Sequence, residues 1–134
     1  MNQDDTVKVL LIEDDKRVRE LYELVLSIDE YNVIGAETGE EGLEKAKKEL
    51  PDLIFLDIRL PQMNGLQVLE KLREDKLTKD IPVIILSNMD DESMISQGLS
   101  LGANEYVVKS HIVPKELLEF VEDWKPTGRK RKAA

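Results

Sequence analysis

Polar side chains of three chemical kinds follow the ends of four short apolar runs in this sequence. They are carboxylates, a hydroxyl and an ammonium: Glu13, Asp14, Asp15, Asp57, Ser87 and Lys109. Clustered carboxylates repel one another at neutral pH, and a divalent cation offsets that repulsion. Oxygen ligands without neighbouring cysteine or histidine favour Mg²⁺, with Mn²⁺ as the alternative. If these side chains meet, they form a candidate metal site.

The same set suits phosphate chemistry. A carboxylate is a competent nucleophile toward phosphorus and forms an aspartyl phosphate. Phosphoryl transfer needs in-line positioning and neutralisation of the equatorial oxygens, which a metal ion, Lys109 and the Ser87 hydroxyl could share. The set contains no evident general base for a separate substrate. We therefore expect a phosphoryl group to be transferred to the protein itself.

Each of these residues alone has an ordinary structural explanation. The acids at positions 13–15 suit a solvated turn before a helix N-terminus. Ser87 suits a helix cap, and Lys109 suits an exposed surface position, where most lysines lie. Only their joint placement at the ends of four different apolar runs favours a functional site.

The elements that must position these residues are five apolar runs, each followed by a segment with helical spacing. The runs cover residues 7–12, 32–36, 53–56, 82–86 and 105–108. Near-continuous aliphatic runs are typical of strands buried on both faces of a parallel sheet. The alternation predicts an α/β protein with a flavodoxin-like (βα)5 fold, a doubly wound parallel five-stranded sheet in the order 2-1-3-4-5. Five units are too few for an eight-unit barrel.

That strand order brings the polar residues together. Ligands of open α/β sheets bind beyond the carboxyl ends of the strands, beside the switch in strand order. Strands 1, 3, 4 and 5 carry the polar residues and are neighbours in this order. Strand 2, which ends without a comparable residue, lies at the outer edge.

Helical spacing also predicts which side chains face the sheet. The first helix is expected to bury Val18, Leu21, Tyr22, Val25 and Ile28, and the second Leu43, Ala46 and Leu50. The segment 93–101 contains Gly98 and a thin apolar stripe, which favours a helix of low local stability.

Composition sets the broad class. The 134 residues, with a net charge of −9 and no cysteine, predict one domain in a reducing cytoplasm without membrane insertion. Residues 1–124 are expected to form that domain. Residues 125–134 are basic and predict a disordered tail or linker stub, too short for a further domain. The acidic body predicts no direct nucleic-acid binding.

Four stretches of the sequence match a known pattern: VLLIEDD at 9–15, LIFLDIRLPQMNG at 53–65, VIILS at 83–87 and GANEYVVK at 102–109. With these motifs the chain resembles the receiver domains of two-component response regulators, the CheY-like family. The resemblance covers residues 6–124.

The resemblance implies a role for each acid at the site. It implies that Asp57 is the phosphoacceptor, that Asp14 binds Mg²⁺ directly and that Glu13 acts through water. It also implies that the backbone carbonyl of Arg59 is a metal ligand. Asp15 is a possible third acid, because the pairing of these acids depends on the alignment.

The resemblance also implies a switch and its partners. Ser87 and Lys109 would bind the phosphoryl group, and Tyr106 would be the aromatic switch residue. A sensor histidine kinase or histidine phosphotransfer protein would be the donor. A downstream protein target, or a second copy of the chain, would bind the face built from the fourth helix, the fifth strand and the fifth helix. The chain would be a signalling switch that catalyses only its own phosphorylation and dephosphorylation.

Three positions depart from the family's usual pattern. Ser110 replaces the proline that follows the lysine in a cis peptide, which leaves the peptide isomer open. Asn88 is larger than the usual residue after the hydroxyl and would narrow access to Asp57. Arg59 could also reach over the site.

Other functional classes remain alternatives. A protein-interaction module of the same fold would lack phosphorylation. A flavin protein would need a hydroxyl- and glycine-rich phosphate loop where residues 13–17 are charged. A phosphatase with an aspartate nucleophile would need a second acid at position 59, where the chain has arginine.

Overall fold

A computed structural model describes residues 6–126 of the chain, in which strands and helices alternate along the sequence. The elements are β1 (Lys8–Ile12), α1 (Lys16–Ile28), β2 (Asn32–Ala36), α2 (Gly39–Glu49), β3 (Leu53–Leu56), α3 (Gly65–Glu74), β4 (Val83–Ser87), α4 (Glu92–Ser100), β5 (Glu105–Val108) and α5 (Leu117–Trp124). Short 3₁₀ turns at Lys109–His111 and Pro114–Glu116 connect β5 to α5.

The strands form one parallel sheet in the order β2-β1-β3-β4-β5, which confirms the predicted topology. β1 and β3 are central and almost fully buried because helices cover both faces of the sheet. Leu11, Phe55 and Ile84 pack with α1 and α5 on one face. Leu10 and Ile54 pack with α2 and α3 on the other. These two apolar layers hold the carboxyl ends of the strands in a fixed register.

Side-chain caps begin the helices near that edge of the sheet. The carboxylate of Asp15 accepts hydrogen bonds from the backbone of α1 at Arg17 and Val18. Asn64 forms a reciprocal capping box with Gln67 at the start of α3. These residues satisfy amide groups that have no partner within the helix.

The predicted buried face of α1 is partly wrong. Leu21 and Ile28 are 45% and 65% exposed, whereas Tyr22 and Leu26 are buried. The sequence has apolar residues on two faces of this helix, and the face that packs against the sheet is the one that contains residues 22 and 26. Leu50, predicted to be buried, is 50% exposed because it ends α2 in the left-handed conformation, at φ 46°.

The predicted fourth helix is present, and its carboxyl end is anchored by Arg73 of α3. The Arg73 guanidinium donates hydrogen bonds to the carbonyl of Gly102, at 2.9 Å from Nη2, and to the side chain of Asn104. Its Nη1 also donates to the Ile81 carbonyl at 2.9 Å, just before β4. One side chain therefore joins the α3–β4 and α4–β5 connections.

The carboxyl end of α5 is fastened to the opposite edge of the sheet from the polar residues. The Tyr31 hydroxyl donates to the Glu122 carboxylate at 2.5 Å, and the Trp124 indole donates to Glu105 at the start of β5. The predicted tail lies mostly outside the described residues. Within residues 6–126 there is no helix with the length and apolarity needed to cross a membrane.

Candidate phosphoacceptor site

The strand ends bring the predicted residues to one edge of the sheet. Glu13 follows β1, Asp57 follows β3, Ser87 is the last residue of β4 and Lys109 follows β5. The amide of Asp57 donates to the Ile12 carbonyl at 3.0 Å, which ties the first two ends together. Adjacent parallel strands thus place residues that are distant in sequence side by side.

The Lys109 ammonium joins two buried carboxylates. Its Nζ lies 2.6 Å from Glu13 Oε1 and 3.0 Å from Asp57 Oδ2. Glu13 is 2% exposed and Asp57 is 6% exposed. A single cation at this position offsets only part of the negative charge of the two carboxylates.

The pKa values of Glu13 and Lys109 are both raised, for different reasons. Burial raises the pKa of Glu13, and the repulsion from Asp57 adds to that rise, although hydrogen bonding to Lys109 opposes it. Burial alone would lower the pKa of Lys109, but hydrogen bonding to Glu13 and the charge of Asp57 outweigh it and raise that pKa. Lys109 is therefore charged at neutral pH.

Glu13, Asp14 and Asp57 together offer ligands for a cation. One carboxylate oxygen from each residue lies within 4.8 Å of the others. Asp14 is exposed, while the other two are buried. Three carboxylates with one ammonium fit a hard divalent cation with oxygen ligands. Asp15, the possible third acid, is engaged as the cap of α1.

The site opens into a cleft of about 510 Å³. Arg59 lines it with an exposed side chain, and the Arg59 amide lies 3.3 Å from Asp57 Oδ1 as a hydrogen-bond donor. Asn88 and Ser110, both singled out from the sequence, line the same cleft. The Lys109–Ser110 peptide is trans.

Ser87 and Tyr106 meet at the β4–α4 loop rather than at Asp57. Ser87 is fully buried, and its Oγ accepts a hydrogen bond from the Met89 amide at 3.1 Å. The Tyr106 hydroxyl donates to the Met89 carbonyl at 2.6 Å. Burial raises the pKa of Tyr106. Gly98 of α4 leaves room for the ring, since a Cβ there would lie 3.1 Å from Tyr106 Cδ2.

Two residues near the site were not among the predicted site residues. Tyr22 was predicted only as a core residue, but it also lines the cleft, and burial raises the pKa of its phenol. Arg19 donates from Nη1 to the Glu13 carbonyl at 2.7 Å. The available signal for Arg19 was its position six residues after Glu13, one helical turn into α1.

Comparison with known proteins agrees with this geometry. The sequence pattern of the response regulator receiver domain matches residues 9–122. The chain is a response-regulator receiver domain. Receiver domains of this family are typically phosphorylated on an aspartate, and they are signalling switches rather than metabolic enzymes.

The receiver domain is similar in sequence to part of a longer transcriptional regulator. It is 40% identical over 102 residues to the Bacillus subtilis alkaline phosphatase synthesis transcriptional regulatory protein PhoP, covering 76% of this chain and 42% of PhoP. The chain thus spans less than half the length of this curated relative.

Solved receivers share its fold. The structure of the Vibrio cholerae chemotaxis protein CheY4 matches with a TM-score of 0.82 at 28% identity, covering 89% of this chain and 98% of CheY4. The phosphorylated cyanobacterial phytochrome response regulator RcpA matches with a TM-score of 0.78 at 27% identity, covering 89% of this chain and 94% of RcpA.

Gly65 packs against the backbone of the loop that follows β3 at Asp57. A Cβ at position 65 would lie 2.2 Å from the Asp57 carbonyl oxygen and 2.7 Å from Ile58 Cα. Because backbone atoms cannot rotate away, we expect Gly65→Ala to lower the free energy of unfolding by about 3 kcal/mol, measured by urea denaturation.

Gly42→Ala is the matched control. Its Cβ would meet the Ile12 side chain, with the nearest atom, Cδ1, at 2.5 Å. Since the end of a side chain can change rotamer, the loss should be smaller. Equal losses in the two variants would contradict the explanation by backbone contact.

Proposed function

We propose that Asp57 accepts a phosphoryl group from a phosphohistidine of a sensor histidine kinase or histidine phosphotransfer protein. A carboxylate oxygen of Asp57 forms a bond to phosphorus while the bond between phosphorus and the imidazole nitrogen breaks. The electron pair of that bond stays on the nitrogen, which takes up a proton from solvent. The receiver thereby catalyses its own phosphorylation, and water later removes the group.

The observation that carries the proposal is the bridging position of Lys109. Its ammonium contacts Asp57 Oδ2 and Glu13 Oε1 within a cleft that opens to solvent. A cation already placed against the acceptor carboxylate can move to an incoming phosphoryl oxygen at little cost in reorganisation. Asp57 is buried deeply enough for that interaction to be poorly screened.

Glu13, Asp14 and Asp57, with the Arg59 backbone carbonyl, are the residues proposed to hold Mg²⁺, with Mn²⁺ as the alternative. When bound, the cation supplies positive charge against the phosphoryl oxygens. Asp15 is left outside this set because its carboxylate accepts two backbone hydrogen bonds of α1. The uncompensated negative charge around Lys109 supports this assignment.

Ser87 and Tyr106 are proposed to transmit the change. The Ser87 hydroxyl would exchange its bond with the Met89 amide for one to the phosphoryl group. Because Tyr106 binds the carbonyl of the same residue, movement of the loop would alter its hydroxyl bond. The face built from α4, β5 and α5 would then favour a different partner, as a shift between two states.

The downstream partner is proposed to be a protein, or a second copy of the chain bound through that face. The name of the relative PhoP describes a transcriptional regulator. A transcriptional role for the whole protein containing this chain is therefore a further proposal. The acidic receiver itself is not expected to contact nucleic acid.

Incubation with acetyl phosphate, followed by measurement of the intact mass, tests the proposal. With Mg²⁺ we expect the mass of one added phosphoryl group, and after chelation of divalent cations we expect none. Since Asn88 lines the cleft and is larger than the residue usual at this position, a phosphorylated histidine phosphotransfer protein should be used as a second donor. A folded receiver that gains no mass from either donor would contradict the proposal and favour a protein-interaction module without phosphorylation.

A further inference from the structure

Arg19 connects the acidic loop after β1 to the loop after β2. Its Nη1 donates to the Glu13 carbonyl at 2.7 Å, and its Nη2 lies 3.8 Å from Glu37 Oε2. The Arg19 side chain is 13% exposed, whereas that of Glu37 is 67% exposed. Of the two contacts of Arg19, the one to Glu13 is therefore the better shielded from solvent.

The sheet leaves space for the Arg19 side chain to take this route. A Cβ on Gly35 of β2 would lie 3.2 Å from Arg19 Cδ, so glycine at this position allows the aliphatic stem to lie close to the strand. The carbonyl of Gly35 accepts a hydrogen bond from Lys45 of α2 at 2.6 Å. Arg19 thus lies along an edge strand that is itself held in place.

The Glu13 carbonyl belongs to the peptide that leads into Asp14. On the other side of Glu13, its amide donates to the Ala36 carbonyl at 2.9 Å. Among the described residues, Asp14 makes no side-chain hydrogen bond or ion pair, and it is exposed. The location of its carboxylate therefore depends on the orientation of the backbone that Arg19 holds.

We propose that Arg19 is a positioning residue for the metal site, a role that rests on the proposed function of Glu13, Asp14 and Asp57 as ligands. Its guanidinium fixes the peptide between Glu13 and Asp14, so that the Asp14 carboxylate stays within ligand distance of the other two. Groups that orient metal ligands typically change metal affinity by 10- to 100-fold when removed.

The proposal and simple electrostatics predict opposite results. Arg19 carries a positive charge beside a cation site. If charge were its only influence, removing Arg19 would strengthen Mg²⁺ binding. Loss of a positioning contact would weaken it. The sign of the change in affinity therefore separates the two effects.

The test measures the Mg²⁺ dissociation constant of the parent and of Arg19→Met by isothermal titration calorimetry. Methionine keeps an unbranched stem and removes the guanidinium. We expect the dissociation constant to rise about tenfold. At saturating Mg²⁺, phosphorylation by acetyl phosphate should return to within about twofold of the parent rate, because the defect lies in metal binding.

Arg17→Met is the matched control, since Arg17 is exposed on the first turn of the same helix. It removes an equal charge and should leave Mg²⁺ affinity unchanged or slightly higher. An Arg19→Met affinity equal to or tighter than that of the parent would overturn the positioning role. A parent that binds no Mg²⁺ would instead overturn the metal site itself, and this role with it.

Circular dichroism checks that Arg19→Met is folded. If it is not, Arg19→Lys decides the question, because lysine retains the charge and most of the stem but lacks the planar group of donors. A rise of about threefold in the dissociation constant is expected from its poorer fit to the Glu13 carbonyl. An unchanged constant in this variant would overturn the proposal.

Discussion

Asp57→Asn is expected to leave a folded receiver that gains no phosphoryl group from any donor. The amide is nearly the same size as the carboxylate but is a poor nucleophile toward phosphorus, so the loss should be complete. Asparagine fits the same buried position and removes one of the two carboxylates that Lys109 contacts. Intact-protein mass after incubation with acetyl phosphate and Mg²⁺ measures the result.

Asp90→Asn provides the control, because Asp90 is an exposed acid in the β4–α4 loop. It changes the charge equally and should be phosphorylated as the parent is. Phosphorylation of Asp57→Asn to the parent's extent would show that another residue is the acceptor.

Lys109→Met is expected to lower the free energy of unfolding by about 3 kcal/mol at neutral pH without Mg²⁺. The substitution leaves Glu13 and Asp57 buried together with no cation between them. Phosphorylation should also fall about 100-fold, since a donor placed for the developing charge is lost. Urea denaturation measures the first effect, and the rate of mass gain measures the second.

Added Mg²⁺ should recover more stability in Lys109→Met than in the parent. A cation that binds only the native state stabilises it by mass action, and the variant has a larger uncompensated charge to offset. Lys8→Met is the control, because the ion pair of Lys8 with Glu49 is about one-third exposed and should be worth less than 1 kcal/mol. Similar losses in the two lysine variants would contradict the argument from burial.

The fold was predictable because its signals are local. Each strand is a short apolar run, and each run is followed by a helix with its own spacing. Once the strand order is inferred, the convergence of residues 13, 57, 87 and 109 follows from the parallel direction of the strands. The observed register agrees with this and places Lys109 against Glu13 across 96 positions of sequence.

The details that could not be predicted depend on tertiary contacts. Asp14 and Asp15 are chemically identical neighbours, but the carboxylate of Asp14 lies near those of Glu13 and Asp57, whereas that of Asp15 caps α1. The path of the backbone between β1 and α1 decides which of the two acids takes which position. Similarly, α1 has apolar residues on two faces, and only packing against the sheet and α5 determines that Leu26 is buried and Leu21 is exposed.

The anchoring of α4 at one end has a mechanical consequence. Arg73 holds the Gly102 and Asn104 region beyond its carboxyl end, whereas the loop before its amino end is held through Met89 by Ser87 and Tyr106. A displacement of that loop is therefore expected to rotate α4 about its carboxyl end, which Arg73 holds in place. In such a rotation the amino-terminal turn of α4 moves the largest distance, and the residues around Gly102 move the smallest.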